Sequence, residues 1–244
     1  MKKLILVKAI IPLVLLGCGS SQSDDEGQLS QENSTESKTK LIKNLEQNTV
    51  EDKVNHILQY REMIYEKSIE ENRQDRNYWN MSIAGNIDPL LEASKKGDAS
   101  AMFALGLAYF FETGVVKNDE ESSKWVLKAA NLGHTRAQAE IGHRYWIGLG
   151  VEKDDKKAID WFRKAIKQGS PEAMSYLAWN YSKSIGVKKN IEIAYSLYQL
   201  ADNEGLPRAR ERIQELEQEM TQAQISRAKL LATDCIINYF DNCG

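Results

Sequence analysis

The chain repeats itself every 36 residues, and that period restricts its fold more than any other feature. Ala101, Ala137, Ala173 and Ala209 keep the step, as do Tyr109, Tyr145 and Tyr181. So do Gly114, Gly150 and Gly186, then Lys117, Lys153 and Lys189, then Ala129, Ala165 and Ala201, then Gly133, Gly169 and Gly205. A fixed period between about 20 and 50 residues marks stacked supersecondary units. Such a unit cannot bury its apolar side alone and stacks on its neighbours.

Each unit reads as two helices. Ala101, Leu105 and Tyr109 stand at i, i+4 and i+8, one apolar stripe of a first helix over roughly 99–112. Gly114 opens the turn that follows. Asn118, Asp154 and Asn190 share one repeat position, where a short side-chain oxygen can cap the second helix. That helix carries Trp125 or Trp161 with the recurring alanine four residues on, so both lie on one face. Gly133, Gly169 and Gly205 act as its C-terminal stops. Pro171 and Pro207 sit just inside the next helix start, where a missing N–H costs nothing. The expected fold is all-α: a right-handed α-solenoid of helix-turn-helix repeats with N- and C-terminal capping helices.

Residues 137–169 read AQAEIGHRYWIGLGVEKDDKKAIDWFRKAIKQG. This stretch resembles the Sel1-like repeat, a relative of the tetratricopeptide repeat, with Ile141 in place of the usual leucine. The first copy departs from the pattern at Glu112, where glycine is usual, and the third at Ala178, Ser184 and Leu197. Three copies, 98–133, 134–169 and 170–205, cover under half of the chain. The resemblance implies a concave binding surface lined by the first helices and no fixed chemistry.

Both ends differ from the repeats. Lys2 and Lys3 precede an apolar run, and Leu15-Leu16-Gly17-Cys18 resembles a bacterial lipobox. Residues 1–17 are therefore read as a lipoprotein signal peptide and Cys18 as the lipidated first residue of the mature chain. The resemblance implies a lipid-anchored protein of the cell envelope, and Gly19-Ser20 favours the outer membrane facing the periplasm if the cell is Gram-negative. Residues 18–40 are almost free of apolar side chains, a tether that cannot offset its ordering entropy by burial. Residues 41–97 are read as an N-terminal capping helix and a half repeat. Val54, Ile57, Leu58, Arg61, Ile64 and Tyr65 share one face of a helix over 50–72 that covers the first repeat, and 73–88 look irregular. Residues 206–244 are read as C-terminal capping helices, the last carrying Ile225, Ala228, Leu231, Cys235 and Ile236 on its inner face. Cys235 and Cys243 are expected to form a disulfide in an exported chain.

Charge and chemistry exclude several functions. The chain has 32 Lys and Arg against 35 Asp and Glu. Removing Lys2, Lys3 and Lys8 with the signal leaves 29 against those 35, a net of −6. A nucleic-acid binder would need a basic stripe. The balance instead leans towards a basic partner. His56, His134 and His143 have no metal-ligand spacing, and Gly148-Leu149-Gly150 is a repeat turn rather than a phosphate loop. No catalytic constellation, cofactor site or metal site is expected. Some cysteine-rich Sel1-like proteins are linked to β-lactams, but they carry a cysteine pair in every repeat, and here the repeats contain none.

The positions that change between copies carry the functional reading. They are Leu107 and Phe111 in copy one; Glu140, His143, Arg144 and Ile147 in copy two; and Tyr176, Trp179, Asn180 and Lys183 in copy three. A varied face rich in aromatic and charged residues is what a partner-specific groove needs. The chain is expected to be a non-catalytic, monomeric protein-binding module. Its partner would be another envelope or secreted protein, and by resemblance a lipase-type antibacterial toxin that it neutralises as an immunity protein. A scaffold or regulatory adaptor for envelope assembly or signalling is the alternative.

Overall fold

The computed structural model divides the chain into two units, residues 1–49 and 50–244. It describes residues 62–237 together with Asn55, Leu58 and Gln59. The signal peptide, Cys18, the tether, Val54, Ile57, Arg61 and Cys243 lie outside the described residues.

Ten helices and no strand occur among the described residues. Helix α1 covers 62–83. There follow α2 (Asp88–Lys95), α3 (Ala99–Phe111), α4 (Asp119–Asn131), α5 (Thr135–Ile147), α6 (Asp155–Lys167), α7 (Pro171–Lys183), α8 (Ile191–Asn203), α9 (Pro207–Glu217) and α10 (Gln222–Ile237). Helices α3, α5 and α7 begin 36 residues apart, as do α4, α6 and α8, so the sequence period is carried into the backbone. The fold is an α-solenoid of three helix pairs.

The same devices recur in each pair. Asn118, Asp154 and Asn190 cap α4, α6 and α8, their side chains accepting from the N–H of Glu121, Lys157 and Ile193. The first helices end on a left-handed residue that is glycine only once: Glu112 (φ 60°), Gly148 (φ 75°) and Ser184 (φ 59°). The two departures from the glycine pattern therefore keep the cap and take its strain. Gly150 has a stricter reason to be glycine. A Cβ there would lie 1.9 Å from the Asp119 carbonyl oxygen, so the α5–α6 turn seats against the start of α4 one repeat back.

The core runs as a series of junctions between pairs. Phe103, Val126, Ala130, Ile141 and Trp161 join repeats one and two. Phe162, Ile166, Met174, Leu177 and Leu197 belong to a larger cluster that continues to Ala232 and Cys235 of α10. Helices α9 and α10 close the far end, where Tyr195 packs with Met220, Ile225 and Ala228. The buried stripe of α10 is Ile225, Ala228, Ala232 and Cys235, at i, i+3, i+7 and i+10, whereas Leu231 turns outward.

The N-terminal helix departs from the sequence reading in length and in role. It continues through 73–83, expected to be irregular, and it does not simply cover the first repeat. Its inner stripe is Ile64, Lys67, Glu71, Asp75, Tyr78 and Ser82, mostly polar, and runs along the N-terminal ends of all three first helices. The Tyr78 hydroxyl donates to Asp98, the cap of α3, at 2.8 Å. Glu71 accepts from the Thr135 N–H of α5. Lys67 donates to the Gly133 carbonyl at 3.1 Å and to Gln168, just before α7. Tyr65, placed on the buried face by sequence, is mostly exposed.

Asp75 is the hub of this strap. It is 5% exposed, and its two oxygens meet His134 Nε2 at 3.0 Å and Arg136 Nη1 at 2.9 Å. The other ring nitrogen of His134, Nδ1, accepts from the Ala137 N–H and caps α5. Nε2 therefore carries the proton and donates to Asp75. In the other repeats that cap is Asp98 or Ser170.

Candidate binding surface

The outward sides of α3, α5 and α7 carry most of the residues singled out by variation. In the first repeat Phe111 is 56% exposed, and its ring meets Trp79 of α1 edge-on at 5.4 Å and Phe110 at 4.8 Å. Leu107 is half-buried and packs on the junction below. In the second repeat Ile147 is 49% exposed. His143 stacks on Tyr176 of the third repeat at 4.9 Å and lies 5.8 Å from Trp146. Burial in this aromatic stack holds the His143 pKa below its usual value, opposed by Glu140 and assisted by Arg144. In the third repeat two cations approach the Trp179 ring, Lys183 Nζ at 5.1 Å and the Arg212 guanidinium at 5.0 Å from its centroid.

Two of the singled-out residues do not belong to the surface. Arg144 is 0% exposed and Asn180 is 1% exposed. With Ala108 they fill one repeat position, buried in all three copies. The geometric cause is that this position stands seven residues after the recurring alanine and three after Leu105, Ile141 or Leu177. It therefore shares the core stripe rather than the varied face. Arg144 is held by Glu140 at 2.8 Å and by Ser122 and Ser123, each at 2.9 Å, and lies over the Phe110 ring. Ser122 and Ser123 become Ala158 and Ile159 in the next copy. The polar clasp thus belongs to the junction of repeats one and two alone. One guanidinium nitrogen, Nη2, has no hydrogen-bond partner there, and neither has Asn180 Oδ1.

Sequence reasoning missed Trp79, Phe110, Trp146 and Arg212. Trp146 and Phe110 occupy one repeat position beside the recurring tyrosine, and their variation to Ser182 was a usable signal. Trp79 comes from α1, outside the period, whereas Arg212 stands in register with Glu140 and Tyr176 in a decayed fourth copy, where the step from Ala173 to Ala209 could have placed it. The surface has the makings of a protein contact: aromatic anchors, exposed apolar groups and flanking charges. No group of His, Cys, Asp and Glu fit for a metal occurs among the described residues.

Comparison with known proteins defines the class. The Sel1 repeat model matches residues 99–134, 135–170 and 171–205. A solved structure, a protective antigen from uropathogenic Escherichia coli with this repeat fold, is 28% identical with a TM-score of 0.61. The match covers 73% of this chain, which spans 41% of that protein's length. A Sel1 repeat protein from Oxalobacter formigenes is 36% identical over 52% of this chain and 96% of its own, with a TM-score of 0.49. No curated protein matches the sequence.

The chain belongs to the Sel1-repeat proteins. It is a protein-binding module of a family that is generally non-catalytic.

Proposed function

We propose that this module is a lipid-anchored immunity protein of the cell envelope that binds, as a monomer, a secreted antibacterial effector of the lipase type and neutralises it. The observation that carries the binding reading is the aromatic row on the first helices, centred on His143, Trp146 and Tyr176. The support for the anchor is Leu15-Leu16-Gly17-Cys18 behind an apolar run and a basic start. No described helix is long and apolar enough to cross a membrane. An inhibitor held by lipid would meet an incoming toxin at the membrane. A Cys235–Cys243 bridge would tie the last residues to α10, whose Cys235 is buried.

The test is co-expression in the periplasm with any candidate effector whose reading frame is found beside this gene. Protection that is lost when Cys18→Ser prevents anchoring, and that accompanies a direct complex, supports the reading. A tight complex with an envelope-assembly protein, and no protection against any neighbouring effector, would instead assign a scaffold or regulatory role. Maleimide should label Cys235 and Cys243 only after reduction.

A further inference from the structure

One turn of the third repeat breaks the charge pattern of the other two. Lys117 and Lys153 each face an aspartate two residues on, Asp119 at 3.9 Å and Asp155 at 3.7 Å. At the matching place the third repeat has Lys189 followed by Ile191, so the aspartate is gone. Lys183 stands where the earlier copies have Phe111 and Ile147. Both lysines are exposed, and neither has a carboxylate within ion-pair distance among the described residues. They line a cleft of about 90 Å³ between α7, α8 and α9 with Trp179, Ile191, Tyr198 and Arg212. Clefts for drug-sized molecules are about 300–1,000 Å³, so this one has room for the end of one side chain. Its acids are Glu215, which already pairs with Arg212 at 2.7 Å, and Glu219.

We propose that this cleft anchors an acidic side chain of the protein partner, its carboxylate between Lys183 and Lys189 and its stem against Trp179. The proposal deepens the binding reading above and rests on it. It runs against the net negative charge of the chain, which favours a basic partner overall. Two cations without a carboxylate partner among the described residues nonetheless line this one cleft beside Trp179, and local charge rather than net charge decides what docks there.

The experiment uses detergent-solubilised mature protein and a dye-labelled tetraglutamate peptide with a blocked C-terminus, titrated by fluorescence anisotropy at low salt. Tetralysine and a Gly-Ser peptide with a free C-terminal carboxylate are the other arms. Tetraglutamate should bind above both, and Lys189→Gln should weaken it roughly two- to five-fold, the range of an exposed ion pair. Ile191→Asp, which restores the partner that the other repeats have, should weaken it similarly. Lys153→Gln, the same repeat position with its aspartate present, should leave it unchanged. Equal loss in Lys153→Gln and Lys189→Gln, or no preference for tetraglutamate, would overturn the proposal. Binding of the Gly-Ser peptide as tightly as tetraglutamate would overturn the side-chain assignment in favour of a chain terminus. A natural partner whose affinity ignores Lys189→Gln would overturn this cleft and leave the binding function standing.

Discussion

Arg144 shows how far a single position can mislead when only its variation is read. Because it differs from Ala108 and Asn180, it resembles a specificity residue, yet its guanidinium is fully buried and clasped by Glu140, Ser122 and Ser123. A buried charge survives only when paired, and truncating it strands its partners and leaves a cavity. Arg144→Ala should therefore lower unfolding stability by about 3 kcal/mol, measured by urea denaturation, comparable to the loss for Trp161→Ala. Trp179→Ala, at a partly buried site, should cost about 1 kcal/mol. His143 makes a separate prediction. Its folded-state pKa is held below the usual 6.5, so between the two values the unfolded chain binds more protons. Stability from the neutral stack is complete above about pH 6.5 and is lost as pH falls through the folded-state value. Melting temperatures across pH 5–7.5 should show this loss, and His143→Phe should remove it.

At the scale of elements, legibility followed the source of the ordering force. Helices α3 to α8 were readable because apolar spacing, caps and stops repeat in phase, and their bounds fall within a residue or two of expectation. Helix α1 was half legible, since its inner stripe is Lys67, Glu71, Asp75, Tyr78 and Ser82. A search for apolar periodicity cannot see a helix held mainly by hydrogen bonds to other helix ends. The buried Asp75 is what fixes it, accepting a hydrogen bond from His134 Nε2–H and pairing with Arg136. Asp75→Ala leaves His134 Nε2–H buried without an acceptor and should cost about 2 kcal/mol. Hydrogen exchange should then quicken in 62–83 before it quickens in α6 or α8. Equal protection of α1 in both proteins would mean that the strap is held by its apolar contacts alone. For the candidate surface, the varied positions located eight of ten residues at least partly at the surface. Trp79, supplied by α1, needed three dimensions, whereas Phe110 and Trp146 could have been found from their variation to Ser182.

Residues 62–237 form a one-dimensional stack in which each helix pair touches its neighbours, strapped along one edge by α1 and closed by α9 and α10. In such a stack the recurring positions carry stability and the varied outward positions are free to carry recognition. The division is visible in this chain: Ala101, Ala137 and Ala173 are wholly buried, whereas Phe111, Ile147 and Lys183 reach solvent. The central claim is that the outward row on the first helices binds a protein. The most direct measurement is the affinity of the solubilised mature protein for its captured envelope or secreted partner, compared with a Trp146→Ala/Tyr176→Ala variant of unchanged helicity. The account predicts a loss of at least about tenfold, as for hot-spot anchors worth more than about 1.4 kcal/mol. An unchanged affinity in the variant, or no protein bound by the wild-type chain, would contradict it.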